Sequence, residues 1–210
     1  MNKIMSRGAF IVFEGCDRSG KTTQSVMLVE TLKKLGYKAM YMNFPDRTTK
    51  TGKEIDEYLN KKKNYTDEEI HYLFSRNRWE VKELMENRLL NGTTLIVDRY
   101  SFSGVAFTAA KGLDIEWCKA PEIGLMKPDL VVYMTLPLKE IVSRGGFGKE
   151  RYEIPEFQRR VGATFKKLFD PTYWKEVDAS PKPEELQITL TNIVENAIED
   201  AKDKPLSYLW

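Results

Sequence analysis

The chain predicts an α/β fold: a three-layer α/β/α arrangement with a five-stranded parallel sheet, helices on both faces and a small lid. Three observations lead there. Apolar runs of strand length alternate with stretches of helical periodicity, the pattern of strands joined by crossover helices. The first run, Ala9-Phe-Ile-Val-Phe13, empties into a glycine-containing loop that leads straight into a helix. Gly145, Gly146 and Gly148, beside Arg144 and Lys149, have the composition of a movable flap.

Element by element, Ala9 to Phe13 reads as a buried strand. Thr22 to Leu35 is helical, with Val26, Val29, Leu32 and Leu35 apolar, and Gly36 ends it. Lys38 to Phe44 is a second strand, stopped by Pro45. Thr51 to Leu59 is a short helix. Thr66-Asp-Glu-Glu69 matches a capping box. It opens one longer helix through Ile70, Leu73, Phe74, Val81 and Leu84 to the Asn91-Gly92 turn. Thr94 to Val97 is a third strand, ending at Asp98, and Ser101 to Lys111 a helix. Leu130 to Met134 is a fourth strand, Phe157 to Phe169 a helix, Trp174 to Val177 a fifth strand and Leu186 to Ala201 a closing amphipathic helix. No internal repeat or linker divides the chain, so residues 1–210 are expected to form one domain.

Composition narrows the function. The 210 residues suffice for a sizeable core, and 41% apolar with 30% charged is ordinary for a soluble protein. The net charge of +2 offers no basic stripe for nucleic acid; Lys61, Lys62 and Lys63 read as a solvated helix end. No stretch has the length or apolarity of a membrane span, so no membrane partner is expected. Met1 to Arg7 lacks the apolar centre of a secretory signal. Cys16 and Cys118 share no metal or disulfide spacing, which points to a reducing interior, inside the cell and in its cytoplasm.

Gly15-Cys-Asp-Arg-Ser-Gly-Lys-Thr22 matches G-x-x-x-x-G-K-[ST], the phosphate-binding P-loop. Its glycines let backbone N–H groups turn toward phosphate oxygens, and the following helix adds its positive end. Lys21 is placed to reach β- and γ-phosphates, and the Thr22 hydroxyl to ligate Mg2+. Asp98, at the end of a strand, stands where a second magnesium carboxylate is expected; the alternative is a cap for the helix near Ser101. Ligands in such folds sit beyond the carboxyl ends of the strands, so Gly15, Asp98 and the Phe44-Pro45 corner should meet in one cleft.

A guanine-reading N-K-x-D string is absent. Arg18 lies in the loop, Arg47 after the Phe44-Pro45 corner, Arg78 on the long helix and Arg99 after Asp98. Guanidinium groups match phosphate oxygens in pairs, and this set in a nearly neutral chain suggests two phosphorylated substrates. Phe74 and Arg78 are one helical turn apart and could hold a flat base. Spacing alone favours Phe74 in the core and Arg78 as a surface partner.

The chain resembles the thymidylate kinase (dTMP kinase) family of eukaryotic and poxviral type from about Arg7 to its last residue. The matching strings are Phe13-Glu-Gly-Cys-Asp-Arg-Ser-Gly-Lys-Thr-Thr-Gln24, Asn43-Phe-Pro-Asp-Arg47, Leu73-Phe-Ser-Arg-Asn-Arg-Trp-Glu80 and Asp98-Arg-Tyr-Ser-Phe-Ser-Gly-Val-Ala-Phe107. Lys127-Pro-Asp129, Arg144-Gly-Gly-Phe-Gly-Lys-Glu-Arg-Tyr-Glu153 and Lys204-Pro-Leu-Ser-Tyr-Leu-Trp210 complete the set. The resemblance implies transfer of the γ-phosphate of ATP to dTMP with Mg2+, in dTTP biosynthesis, by a homodimer built through helices beside the sheet.

It also implies roles. Gly15, Cys16, Ser19, Gly20, Lys21, Thr22 and Thr23 would hold ATP, with Arg144 packed on adenine. Arg18 would be the catalytic arginine between donor and acceptor phosphates, and Lys21, Asp17 and Asp98 its catalytic companions. Asp17 would engage the 3′-hydroxyl region of the sugar. Arg47 and Arg99 would clamp the acceptor phosphate. Phe74 would stack on thymine and Arg78 bond its O4. Phe44, Ser103, Gly104, Phe107 and Gln158 would line the monophosphate pocket, and Tyr152, in a lid at about 144–153, would approach the sugar. Arg18 in the loop and glycines in the lid place the chain in the branch whose catalytic arginine is not supplied by the lid, although Lys149 and Arg151 leave basic charge there. Cys16 departs from the bulkier apolar residue usual at its position, and His71 is expected to be structural.

Overall fold

The computed structural model describes residues 6–210; the first five residues of the Met1 to Arg7 segment lie outside them. Five parallel strands form one sheet in the order β2-β3-β1-β4-β5, with β1 Phe10–Glu14, β2 Ala39–Asn43, β3 Thr94–Asp98, β4 Leu130–Thr135 and β5 Trp174–Asp178. Phe10 pairs in register with Leu95 and Ile11 with Leu130, so β1 lies between β3 and β4. The strand order reverses at β1, which opens a crevice beyond its carboxyl end.

β1 is buried throughout because both of its faces are covered. Its side chains alternate. Phe10 and Val12 pack with Met85, Phe102, Val161 and Phe165 on one side. Ile11 and Phe13 pack with Leu28, Leu32, Leu190 and Val194 on the other. The first face is covered by α4 (Lys82–Leu90), α5 (Ser101–Ala109) and α8 (Pro155–Leu168), the second by α1 (Lys21–Lys34) and α9 (Pro183–Ala201). A smaller cluster, Ile55, Tyr58, Leu59 and Ile70, joins α2 (Lys50–Leu59) to α3 (Asp67–Trp79). Among the described residues no helix is long and apolar enough to cross a membrane.

The expected strands are found within a residue or two, and the Thr66 capping box forms with both reciprocal bonds. The expected single helix from Thr66 to Asn91 is two: α3 ends at Trp79, and Val81 leaves helical geometry at φ −115°, ψ 4° before α4 begins. Periodicity does not reveal the break, because both helices bury residues against the body of the protein. It does shift which ones: Met85 and Leu89 are buried, while the expected Leu84 is 45% exposed. Val26 and Leu35 likewise face outward on or just beyond α1, where Leu28 and Leu32 make the core contacts. Two short helices, α6 (Ile115–Lys119) and α7 (Leu138–Ser143), lie in segments the sequence reading leaves without structure.

Candidate active site

The phosphate loop turns between β1 and α1. Gly15 has φ +140°, and a Cβ there would lie 2.4 Å from the Met134 carbonyl oxygen; Gly20 has φ +95°. No side chain caps α1, so its first N–H groups remain free for an anion. Arg18 also adopts a left-handed φ of 59°, which costs a non-glycine residue about 1 kcal/mol. Its guanidinium reaches the segment expected to be a lid: Nε donates to Glu153 Oε1 at 2.7 Å and the two terminal nitrogens to the Gly145 and Gly146 carbonyls at 2.5 and 2.8 Å.

Lys21 is buried and its Nζ donates to the Cys16 carbonyl at 2.6 Å and the Ser19 hydroxyl at 3.3 Å. Burial, reinforced by the nearby Arg99 charge, lowers its pKa to about 8. Thr22 donates its hydroxyl to Asp98 Oδ2, while Asp98 Oδ1 is buried without a partner. Asp98 does not cap α5. That task falls to Glu14 at the end of β1, which accepts from the Tyr100 and Ser103 amides at 2.9 and 3.0 Å and from the Ser103 hydroxyl at 2.5 Å. Burial pushes the Glu14 carboxyl up from its ordinary pKa.

Asp17 sits between Arg99 and Gln158. Arg99 Nη2 donates to one carboxylate oxygen and Gln158 Nε2 to the other, while the Asp17 amide donates to Gln158 Oε1 at 2.9 Å. Arg99 also bonds the Gly15 carbonyl at 3.1 Å and the Ser103 hydroxyl at 3.0 Å, and its guanidinium lies 5.2 Å from the centre of the Phe107 ring. Arg47 pairs with Asp56 on α2 and with Glu150 at 2.5 and 2.9 Å.

Two adjoining clefts result. One, of about 300 Å3, is lined by Phe44, Arg47, Phe74, Arg78, Ser103, Gly104, Phe107 and Tyr152, among others. The second, of about 570 Å3, is lined by Arg18, Gly20, Lys21, Thr23, Arg144, Lys149 and Glu153. Asp17, Thr22, Asp98, Arg99 and Glu150 line both. Most of the residues expected for donor and acceptor therefore converge on one continuous site, while Gly15, Cys16, Ser19 and Gln158 line neither cleft. Gln158 is buried behind it, holding Asp17 rather than facing the cleft.

Two expectations change, those for Arg78 and Arg151. Arg78 is not a surface partner: it is 2% exposed and forms a two-point pair with Glu122, while Phe74 is half-buried at the cleft wall. Arg151 turns away from the phosphate loop, bonding the Tyr58 carbonyl at 2.9 Å and Asn64 Oδ1 at 2.7 Å, whereas Lys149 stays in the second cleft. Arg144 Nη1 is engaged with the Arg18 carbonyl at 2.6 Å, directly above the loop. The partly buried Cys16 Sγ bonds the Gln158 carbonyl at 3.6 Å, and burial raises its pKa, which disfavours the thiolate. His71 is structural, bonding the Thr108 hydroxyl and the Cys118 carbonyl, each at 2.9 Å.

Sequence reasoning missed Glu14, Glu122 and Glu153, the carboxylates that hold the site in shape. Their signal was indirect. Clustered arginines in a chain of net charge +2 require nearby acids, and Glu14 and Glu153 lie inside the strings that carry the resemblance.

A family model described as thymidylate kinase matches residues 13–189. A thymidylate kinase of Arabidopsis thaliana is 50% identical over 210 residues, all of this chain and 80% of that protein. One of Homo sapiens is 48% identical over 207 residues, 97% of this chain and 98% of that protein. The solved structure of thymidylate kinase from Candida albicans superposes with a TM-score of 0.88 at 36% identity, covering 98% of this chain and 99% of that one. A complete phosphate loop, a second cleft facing it across Asp17 and Arg99, and relatedness along nearly the whole length agree: the chain belongs to the thymidylate kinase family.

Proposed function

We propose that the chain transfers the γ-phosphate of ATP to dTMP, yielding dTDP and ADP, and so feeds dTTP synthesis. The observation that carries this is the junction of the two clefts: Asp17, Thr22, Asp98 and Arg99 stand between the phosphate loop and a pocket bearing Phe74 and Arg78. That layout supports a donor on one side and a base-bearing monophosphate on the other. The phosphate loop, Lys21 and Arg144 hold ATP. Arg47 and Arg99 take the acceptor phosphate, Arg47 by exchanging its carboxylate partners for phosphate oxygens. Phe74 stacks on the base, Arg78 donates to its O4, Asp17 and Tyr152 face the sugar, and residues 144–153 act as a lid.

Phosphoryl transfer asks the protein for alignment and for charge at the transferring group. Glu153 holds the Nε edge of Arg18 and leaves its two terminal nitrogens able to trade lid carbonyls for phosphate oxygens. Lys21 adds a second positive group, and the lid excludes water.

The residues fit Mg2+. Asp98 offers an unpartnered buried oxygen beside the Thr22 hydroxyl. Among the described residues no group of three or more His, Cys, Asp or Glu could form an all-protein metal cage. A pair of oxygen ligands completed by phosphates and water suits magnesium. Held by Asp98 and Thr22, such an ion would supply positive charge to offset that of the donor phosphates.

A homodimer and an intracellular, cytoplasmic place of action complete the reading. Tyr72 and Trp79 on α3 and the nearby Ile123 are exposed apolar residues able to meet a second copy, and both cysteines are free. Sedimentation velocity tests the dimer. Assays with ATP and dTMP, dUMP, dCMP, UMP or AMP test the activity: dTMP should be the best natural acceptor, and little turnover of dTMP overturns the reading.

A further inference from the structure

Arg78 and Glu122 form a buried ion pair at the base end of the first cleft. Arg78 Nε donates to Glu122 Oε2 at 2.7 Å and Nη2 to Oε1 at 2.6 Å. Their side chains are 2% and 0% exposed. Glu122 ends a 3-10 turn that α3 grips on both sides of Arg78: the Ser75 hydroxyl and the Trp79 indole both donate to the Pro121 carbonyl, at 3.0 and 2.8 Å. A buried pair of this kind adds little stability over an apolar pair of equal volume. Its value lies in geometry.

We propose that Glu122 is a positioning residue for pyrimidine selectivity: it fixes the Arg78 guanidinium in one orientation, with its free N–H donors held against the base. The inference deepens the dTMP kinase reading and rests on it. Guanidinium has five N–H groups and no acceptor. With Nε and one Nη2 hydrogen committed to Glu122, the plane cannot rotate; Arg78 lines the cleft, and its Nη2 and Nη1 edge lies against Gly104, which lines the same cleft. Gly104 makes room for that edge, since a Cβ there would lie 2.6 Å from Arg78 Nη2. A 4-oxo pyrimidine, thymine or uracil, accepts from such an edge. A 4-amino pyrimidine brings a donor against a donor and leaves both unpaired in a buried place, the situation in which a polar site rejects a near-isostere most strongly. The pair is also net neutral, which matches an uncharged base. Burial acts to raise the Glu122 pKa, but the Arg78 guanidinium holds it below the ordinary value, so the carboxylate stays charged.

The test compares the unaltered chain with Glu122→Gln and Glu122→Asp, using ATP with dTMP or dCMP. Turnover of dTMP by the unaltered chain checks the underlying reading separately. Both variants should raise KM for dTMP about tenfold or more while KM for ATP stays unchanged. The dTMP:dCMP ratio of kcat/KM should fall about tenfold or more, with Asp, which keeps the charge, less affected than Gln. A merely structural role would lower the folded fraction and the rates with both substrates together, leaving KM and the ratio in place. That result in a folded variant overturns the proposal. If the Gln variant fails to fold, the Asp variant, which keeps the pair neutral, decides it by the same two readouts.

Discussion

Arg18 and Glu153 tie the phosphate loop to the lid: Arg18 Nε donates to Glu153 Oε1 at 2.7 Å across 135 positions of sequence. The other Glu153 oxygen accepts from the amides of Gly148, Lys149 and Glu150 at 2.9, 2.9 and 3.2 Å. One carboxylate thus shapes the lid and aims the arginine. Arg18→Ala should lower kcat by ~10³-fold or more, the range expected for an arginine that neutralises transition-state charge. Glu153→Ala, which leaves Arg18 present but unaimed, should cost about 10²-fold. Steady-state kinetics checks both, and normal turnover by the Arg18 variant would remove it from the catalytic assignment.

Lys21 should give nucleotide binding a pH dependence. Burial and the Arg99 charge lower its pKa to about 8 in the ligand-free protein. Triphosphate oxygens favour the charged form, so binding takes up a proton wherever Lys21 is neutral beforehand. Affinity for ADP should therefore hold steady below about pH 8. Above it, Kd should rise by up to about tenfold per pH unit until the pKa of the complex is reached. Calorimetry in buffers of different ionisation enthalpy measures the proton uptake directly. Lys21→Met should bind more weakly at pH 7 and lose this dependence; the same alkaline slope in that variant would assign the titration elsewhere.

Asp98 Oδ1 is buried without a partner. Asp98→Asn should remove most of the magnesium dependence of ADP affinity while leaving metal-free binding close to that of the unaltered chain. Titrations with and without Mg2+ give the comparison. An undiminished magnesium effect would place the ion away from Asp98.

Glu14 carries the N-terminus of α5 from a different strand. Glu14→Ala strands two amides and a hydroxyl in the interior, and urea unfolding should show a loss on the order of 3 kcal/mol. Glu14→Gln keeps a carbonyl oxygen for the two amides and should cost far less. Equal losses would mean that the charge matters rather than the bonds. Because burial raises the Glu14 pKa, ionising it opposes folding, so its contribution falls as pH rises from the ordinary carboxyl value through the raised one.

Much of this was legible along the chain, because it is written in local pattern. Alternating apolar runs and helical repeats give five parallel strands, and Thr66 with Glu69 gives the start of α3. The phosphate loop is a contiguous string whose glycine and lysine positions dictate its backbone, so Gly15 to Thr22 carried its own meaning. The strings around Arg47, Phe74, Arg78 and Arg99 likewise named the residues that line the clefts.

Tertiary structure decided what those residues hold on to. The partners of Arg18, Arg78 and Arg99 lie 135, 44 and 82 positions away, and no local periodicity encodes such pairings. The break at Val81 escaped because both flanking helices continue burying residues. Arg78 read as a surface residue because its charge is neutralised only once the turn ending at Glu122 folds over it. Burying a charge requires a partner in three dimensions, and the chain reveals that partner only when folded.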